Sequence, residues 1–167
     1  MDIHPNIPVE QTTRRSGRNP LLLAAAGSFI VAALHATMPF FLPEAYRFFG
    51  GPGQINFADK GAELVIVVEC YCLSAIFAVW GLYALSGAGV LRRLPLLRLG
   101  LLVIGGVYTL RGLLLIQEII ASLQGKMQGI EYQMCFSVVS LLIGIFYLAG
   151  TIRAWKDLSQ LNSRPGK

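Results

Sequence analysis

The chain has 167 residues, of which 54% are hydrophobic and only 14% are charged, and its net charge is +5. Soluble domains contain about 25% charged residues, so this chain lacks the polar groups needed to cover a surface in water. Its positive charges flank apolar runs instead of forming a stripe with interleaved aromatic residues, which argues against a nucleic-acid partner. The length suits one domain, and the composition indicates that this domain lies in a lipid bilayer.

Residues 1–20 are polar and contain three prolines and a basic cluster, so we expect a disordered tail. The first apolar run, residues 21–42, is long enough at about 1.5 Å per residue to cross a hydrocarbon core of about 30 Å. An alternative is a secretory signal peptide that is cleaved after Ala33. Such a peptide has an apolar region of about 7–15 residues, whereas this run continues through Phe40 and Phe41, so an uncleaved helix is favoured.

A loop of residues 43–61 follows the first helix, and its Gly50-Gly51-Pro52-Gly53 run is a turn signal. The loop lacks the Lys-Ser/Thr pair of a phosphate-binding loop. Its aromatic residues suit a membrane–water interface. We therefore predict an outer-loop contact for a partner, made of Tyr46, Arg47, Phe48 and Phe49.

Three further apolar runs predict helices at residues 62–85, 95–122 and 133–154, and residues 155–167 form a second polar tail. Pro95 is expected in the first turn of the third helix, a position that proline favours. The short connections predict antiparallel neighbours. The predicted fold is therefore an all-α integral membrane four-helix bundle that occupies residues 21–154.

The distribution of Lys and Arg predicts that both termini lie in the cytoplasm. The outer loops would hold three of the 14 basic residues, Arg47, Lys60 and Lys126, and Arg111 lies within a span. The other ten would be cytoplasmic, as the positive-inside rule requires: Arg14, Arg15, Arg18, Arg92, Arg93, Arg98, Arg153, Lys156, Arg164 and Lys167. The compact size and short loops favour a bacterial inner membrane.

Ionisable side chains inside a span are costly and usually face the interior of the bundle. Helical rise places His35, Glu69 and Arg111 each about 20 Å above the cytoplasmic face, with Glu118 nearer the outer interface. We expect an ion pair between Arg111 and Glu69, because a guanidinium matches a carboxylate. The predicted polar cluster, which would form a pocket in the outer half of the bilayer, comprises His35, Glu69, Tyr108, Arg111, Glu118, Ser137 and Ser140. The cluster could instead be architectural, since buried charge pairs also fix helix register.

The sequence offers little support for catalysis or metal binding. The Cys70-x-Cys72 pair lacks the C-x-x-C spacing of redox and zinc sites, so we expect these residues and Cys135 to serve packing. Two histidines are too few for a His-rich metal centre. We therefore predict no catalytic residues, no metal and no cofactor.

The expected partners are the lipid bilayer and either a membrane protein partner or further copies of the chain. The favoured function is a non-catalytic binding, accessory or assembly component with a polar pocket in the outer half of the bilayer. An alternative is a small proton-coupled carrier, channel or sensor that acts as a homo-oligomer, with His35 as the titratable group. An enzyme that acts on a lipid or a quinone is favoured least, because no catalytic constellation is present.

Overall fold

The structure, a computed structural model, describes residues 9–41, 60–125 and 130–155. These residues form four α-helices, which are α1 (Val9–Thr37), α2 (Lys60–Gly87), α3 (Leu97–Leu123) and α4 (Ile130–Arg153). A short 3-10 helix, Met38–Phe41, continues α1. All four helices are long and apolar enough to cross a membrane, so the chain is a multi-pass membrane protein and the predicted all-α four-helix fold is confirmed.

Every helix boundary differs from the sequence prediction by at least one residue, and the start of α1 differs most. Helix α1 begins at Val9 rather than at residue 21, so residues 9–20 of the predicted tail are helical. Once an apolar helix is formed, each further polar residue adds a hydrogen bond without a new nucleation cost. Helix α3 begins after Pro95, because Leu96 adopts the left-handed conformation with a φ of 51°.

The helices associate as two pairs, α1 with α2 and α3 with α4. Within the second pair a Cβ at Gly112 would lie 2.6 Å from the Cα and the backbone nitrogen of Leu141, and one at Gly144 would lie 2.7 Å from the backbone nitrogen of Thr109. Small residues allow such close approach of helices in a membrane, where packing drives association. Within the first pair, Ser74 donates a 2.9 Å hydrogen bond to the carbonyl of Ala32.

The two pairs join mainly through α1 and α4, and α2 and α3 pack least of the neighbouring helices. A Cβ at Gly17 would lie 2.9 Å from the Cβ of Ala154, and one at Gly150 would lie 2.6 Å from Leu21. This junction lies at the end of the bundle that we call the basic end. That end is defined by Arg18, Arg92, Arg93, Arg98 and Arg153, and the opposite end is called the far end.

Polar contacts hold the α2–α3 turn and link α3 to the end of α4 at the basic end. Ser86 donates a hydrogen bond to the carbonyl of Arg92 and accepts one from the backbone N–H of Leu94, both at 3.1 Å, which holds the turn between α2 and α3. Arg98 donates a 2.9 Å hydrogen bond to the carbonyl of Trp155, and its guanidinium carbon lies 4.8 Å from the Trp155 ring centroid.

Candidate functional site

A chain of hydroxyl groups at the centre of the bundle touches all four helices. Tyr108 on α3 donates to Ser28 on α1 at 3.2 Å, Ser28 lies 2.9 Å from the hydroxyl of Tyr147 on α4, and Tyr147 donates to the carbonyl of Trp80 on α2 at 2.8 Å. A phenol has one proton, so Ser28 is the donor in its bond to Tyr147. The chain therefore runs in one direction, from Tyr108 to Trp80.

Aromatic rings pack around this hydroxyl chain and align the helices with one another. The ring of Phe77 lies 5.0 Å from that of His35, 5.2 Å from that of Trp80 and 6.0 Å from that of Tyr108. Tyr108 in turn stacks on Tyr147 at 5.8 Å. Phe77, His35 and Tyr108 therefore lie within about one helical turn of a common depth, which we call the aromatic level.

Beyond the aromatic level, toward the far end, α3 and α4 share a charged cluster. Arg111 donates a 2.7 Å hydrogen bond from Nη1 to the hydroxyl of Ser137, which itself donates a 2.9 Å bond to Oε1 of Glu118. The same Arg111 nitrogen lies 3.7 Å from Glu118 Oε1. The structure thus brings together three of the predicted cluster residues, with Ser137 between the two charges.

The burial of this cluster is uneven. Ser137 is fully buried and the Glu118 side chain is 11% exposed, whereas the Arg111 side chain is 42% exposed. Glu118 Oε2 is buried and has no hydrogen-bond partner. An unmatched carboxylate oxygen in a low-dielectric setting is costly, so Glu118 Oε2 leaves one hydrogen-bonding requirement of this cluster unmet.

The predicted ion pair between Arg111 and Glu69 is wrong in this structure. Arg111 instead pairs with Glu118, two turns along its own helix, and Glu69 is exposed. Since α2 and α3 pack least of the neighbouring helices, the Glu69 carboxylate stays apart from the guanidinium. In the described part of the chain Glu69 has no ion-pair partner.

The depths estimated from sequence also change. Glu69 lies about 12 Å beyond Phe77 toward the far end, and Arg111 lies only about 4–5 Å beyond Tyr108. Tyr108 is in ring contact with both Phe77 and Trp80, which lie about one turn apart, so Glu69 is about 7–12 Å nearer the far end than Arg111. His35 lies at the aromatic level, so the three ionisable groups do not share one depth.

Both residues nevertheless lie on the side of their helix that borders the space between α2 and α3. Glu69 shares a helix side with Trp80, and Arg111 shares one with Tyr108, while the rings of Trp80 and Tyr108 contact each other at 5.2 Å. The two residues therefore lie beside the same space between α2 and α3, beyond the last ring contact, although the Arg111 guanidinium reaches Ser137 on α4. We call this space the α2–α3 opening.

The remaining predicted site residues lie outside the charged cluster or outside the described residues. His35 donates from Nδ1 to the carbonyl of Val31 at 2.8 Å, so its side chain is anchored to its own helix. Tyr108 belongs to the hydroxyl chain rather than to the charged cluster. Ser140 is half-buried on α4. The predicted outer-loop contact at Tyr46, Arg47, Phe48 and Phe49 lies outside the described residues.

Sequence reasoning missed the hydroxyl chain as a unit. Ser28 and Tyr147 do lie on stripes of small and polar residues at helical spacing, which is the signal that could have found them. No stripe reveals which hydroxyl on one helix meets which on another.

The described residues also include three free cysteines, of which Cys70 is buried and Cys72 and Cys135 are exposed. Within the described ranges no three His, Cys, Asp or Glu side chains cluster as a metal site would require. The arrangement offers hydrogen-bond donors and acceptors and unmatched charge at membrane depth, which suits binding. Comparison of the chain with protein-family models, with curated proteins and with solved structures found no match.

Proposed function

We propose that this protein is a non-catalytic binding, accessory or assembly component of the bacterial inner membrane, with both termini in the cytoplasm. Its binding site is the α2–α3 opening, in the outer half of the bilayer. The observation that carries the proposal is Glu69, a carboxylate that is exposed within a candidate span and has no ion-pair partner in the described part of the chain.

Membrane depth makes this observation informative. A charged side chain near the centre of a span costs about 2.5–3.5 kcal/mol on insertion scales, and such groups are usually paired or functional. Arg111 adds a second charge that is 42% exposed. In a membrane protein, exposed means facing lipid or another molecule, so Glu69 favours a partner that supplies a complementary group, and Arg111, which pairs with Glu118 through Nη1, keeps other donors for such a partner.

In this proposal the first helix stays in the mature protein and is not removed as a signal peptide. Leu21, Ala24 and Ser28 are fully buried in the core. Cleavage after Ala33 would take all three from the bundle and would break the hydroxyl chain at Ser28. The loss of these buried contacts on cleavage supports a first helix that is retained.

Proton coupling through His35 has less support. Its Nδ1 is bonded to the Val31 carbonyl and its ring packs on Phe77, so among the described residues no carboxylate contacts it. The carrier, channel or sensor reading therefore stays the second candidate.

Purification in mild detergent, with native mass spectrometry of the intact complex, tests the proposal. We expect the wild-type chain to retain a stoichiometric partner and Glu69→Gln to lose it. Glu63→Gln is the matched control, because Glu63 is an exposed acid in the first turn of the same helix. Equal retention of the partner by all three chains, or a chain that is always alone, would refute the proposed binding site.

The proposed orientation needs a separate measurement. We expect a membrane-impermeant thiol reagent, applied from the periplasmic side, to miss a cysteine introduced at Arg92 and to label one introduced at Lys60. Labelling of the Arg92 position alone would reverse the proposed topology.

A further inference from the structure

Helix α2 is the least covered of the four spans. Only 17% of its most apolar window is buried within the chain, against 28% for α1, 28% for α3 and 33% for α4. The uncovered side of α2 and the adjoining side of α3 carry exposed apolar residues around the two charges. We call this surface the α2–α3 face, and it consists of Val65, Glu69, Ile76, Val79, Val107, Arg111 and Leu114.

We infer that the occupant of the α2–α3 face is a second copy of this chain, so that Glu69 of each copy pairs with Arg111 of the partner subunit. The inference rests on the proposed function, because it names the partner that the α2–α3 opening binds. Glu69 and Arg111 are both exposed on the α2–α3 face, so a second copy of the chain offers a complementary charge to each of them.

Symmetry strengthens this choice of partner. Two copies inserted in the same direction are related by a two-fold axis along the membrane normal, and such an axis leaves the depth of every residue unchanged. Residues that face one another across the interface must therefore lie at similar depths. Glu69 and Arg111 differ by about 7–12 Å along the helix axis, and the Arg111 side chain, which reaches toward Glu118, spans part of this difference.

Arg111 has the capacity for this second contact. A guanidinium has five N–H donors, and the hydrogen bond to Ser137 uses Nη1. Its side chain extends toward Glu118, which lies farther along α3 toward the far end. That direction brings the guanidinium nearer to the depth of Glu69, and its 42% exposure leaves donors available to a carboxylate of the partner subunit.

A charge-exchange experiment tests the pairing between copies. Glu69→Lys and Arg111→Glu are made separately, each with a different tag, in the full chain in liposomes. Each variant alone brings like charges together at the interface, so we expect each to lose the dimer, with dissociation constants raised at least about tenfold. Mixed together, the two variants should form a heterodimer. In that heterodimer the introduced lysine of one chain meets the introduced glutamate of the other, and the remaining native Arg111 meets the remaining native Glu69.

The mixture separates pairing between copies from pairing within one copy. If α2 and α3 instead close within one chain, the double variant Glu69→Lys/Arg111→Glu regains stability, but the mixture of single variants stays monomeric. That result would overturn the inference. A wild-type chain that is monomeric at every density in the liposome would overturn it as well.

Arg111→Glu places a new carboxylate near Glu118 and could prevent folding, so a second measurement uses only native residues. Cys72 is exposed on α2, three residues from Glu69, and so reports on the α2–α3 face. Cys135 is exposed on α4, two residues from the buried Ser137, and points away from the bundle. We expect a short bismaleimide to cross-link a Cys135→Ser chain through Cys72, and to leave a Cys72→Ser chain uncross-linked. Glu69→Gln should reduce the Cys72 cross-link at least about tenfold.

The outcomes also separate this inference from the proposed function. If Glu69→Gln releases a different stoichiometric protein and no Cys72 cross-link forms, the binding site stands and the second copy is excluded. If Glu69→Gln changes neither the retained partner nor the cross-link, both proposals fail.

Discussion

The hydroxyl of Ser28 on the first helix lies 2.9 Å from that of Tyr147 on the last, and both side chains are fully buried. This bond joins the two helix pairs at the point where the rings of Tyr108 and Tyr147 stack. Tyr108 on α3 donates to the same serine, and Tyr147 donates to the carbonyl of Trp80 on α2, so the hydroxyls of Ser28 and Tyr147 together connect four helices.

Replacement of Ser28 by Ala should destabilise the bundle by about 1 kcal/mol, because Tyr108 loses its acceptor in a buried site. For a chain of this size that corresponds to a fall in Tm of about 2–4 °C. A thiol-reactive dye reports unfolding through buried Cys70 when Cys72 and Cys135 are replaced by Ser. Thr37→Ala is the control, because Thr37 bonds to its own helix in an exposed position. An equal Tm for both variants would contradict the role given to Ser28.

Replacement of Gly112 by Ala should cost about 1–3 kcal/mol, because the new methyl group would lie 2.6 Å from the backbone of Leu141 and would push α3 and α4 apart. Gly106→Ala is the matched control on the same helix, since a Cβ there meets nothing within 4 Å. An alanine at Gly106 should be neutral or stabilise by up to about 1 kcal/mol. The same thermal assay checks both, and equal effects would mean that α3 and α4 do not approach closely at Gly112.

Replacement of Glu118 by Ala should destabilise the monomer by about 1–3 kcal/mol, because Ser137 and Arg111 lose a charged partner. Glu69→Ala should change the monomer by less than about 0.5 kcal/mol, since Glu69 is exposed. Both are measured at a detergent excess that keeps the chain monomeric. A larger loss of stability for Glu69→Ala than for Glu118→Ala would indicate that Arg111 pairs with Glu69, as the sequence predicted.

Replacement of Leu96 by Gly should stabilise the bundle by about 1 kcal/mol, because Leu96 has a φ of 51° and the left-handed region penalises a side chain. Leu96 is 75% exposed, so little packing is lost. Leu99→Gly, at an exposed position inside α3, should instead cost about 1 kcal/mol. Thermal unfolding should show a higher Tm for Leu96→Gly and a lower Tm for Leu99→Gly. A lower Tm for both variants would show that the turn imposes no strain on Leu96.

The helices were predictable because each is specified locally. Apolar runs of the right length predict spans at residues 62–85, 95–122 and 133–154, and the structure has Lys60–Gly87, Leu97–Leu123 and Ile130–Arg153. The start of α1 was not predictable in the same way, because a polar segment such as residues 9–20 has no apolar pattern to mark it.

The candidate site was predictable only in part. The sequence indicates that Glu69, Arg111 and Glu118 are unusual, since charged residues in apolar spans are rare. It does not indicate that Arg111 pairs with Glu118 rather than with Glu69. That choice depends on how closely α2 approaches α3, which the tight contact of α3 with α4 at Gly112 helps to decide.

The sequence by itself determined the membrane class, the four helices and their antiparallel order, because hydropathy and chain connectivity are local properties. The tertiary structure alone decided the partners of the polar groups: Ser28 with Tyr147, Arg111 with Ser137 and Glu118, and His35 with Phe77. The physical reason is that hydrogen bonds and ring contacts depend on distances of a few ångströms between helices. Those distances follow from the packing of small residues across each interface, and no helix specifies them by its own sequence.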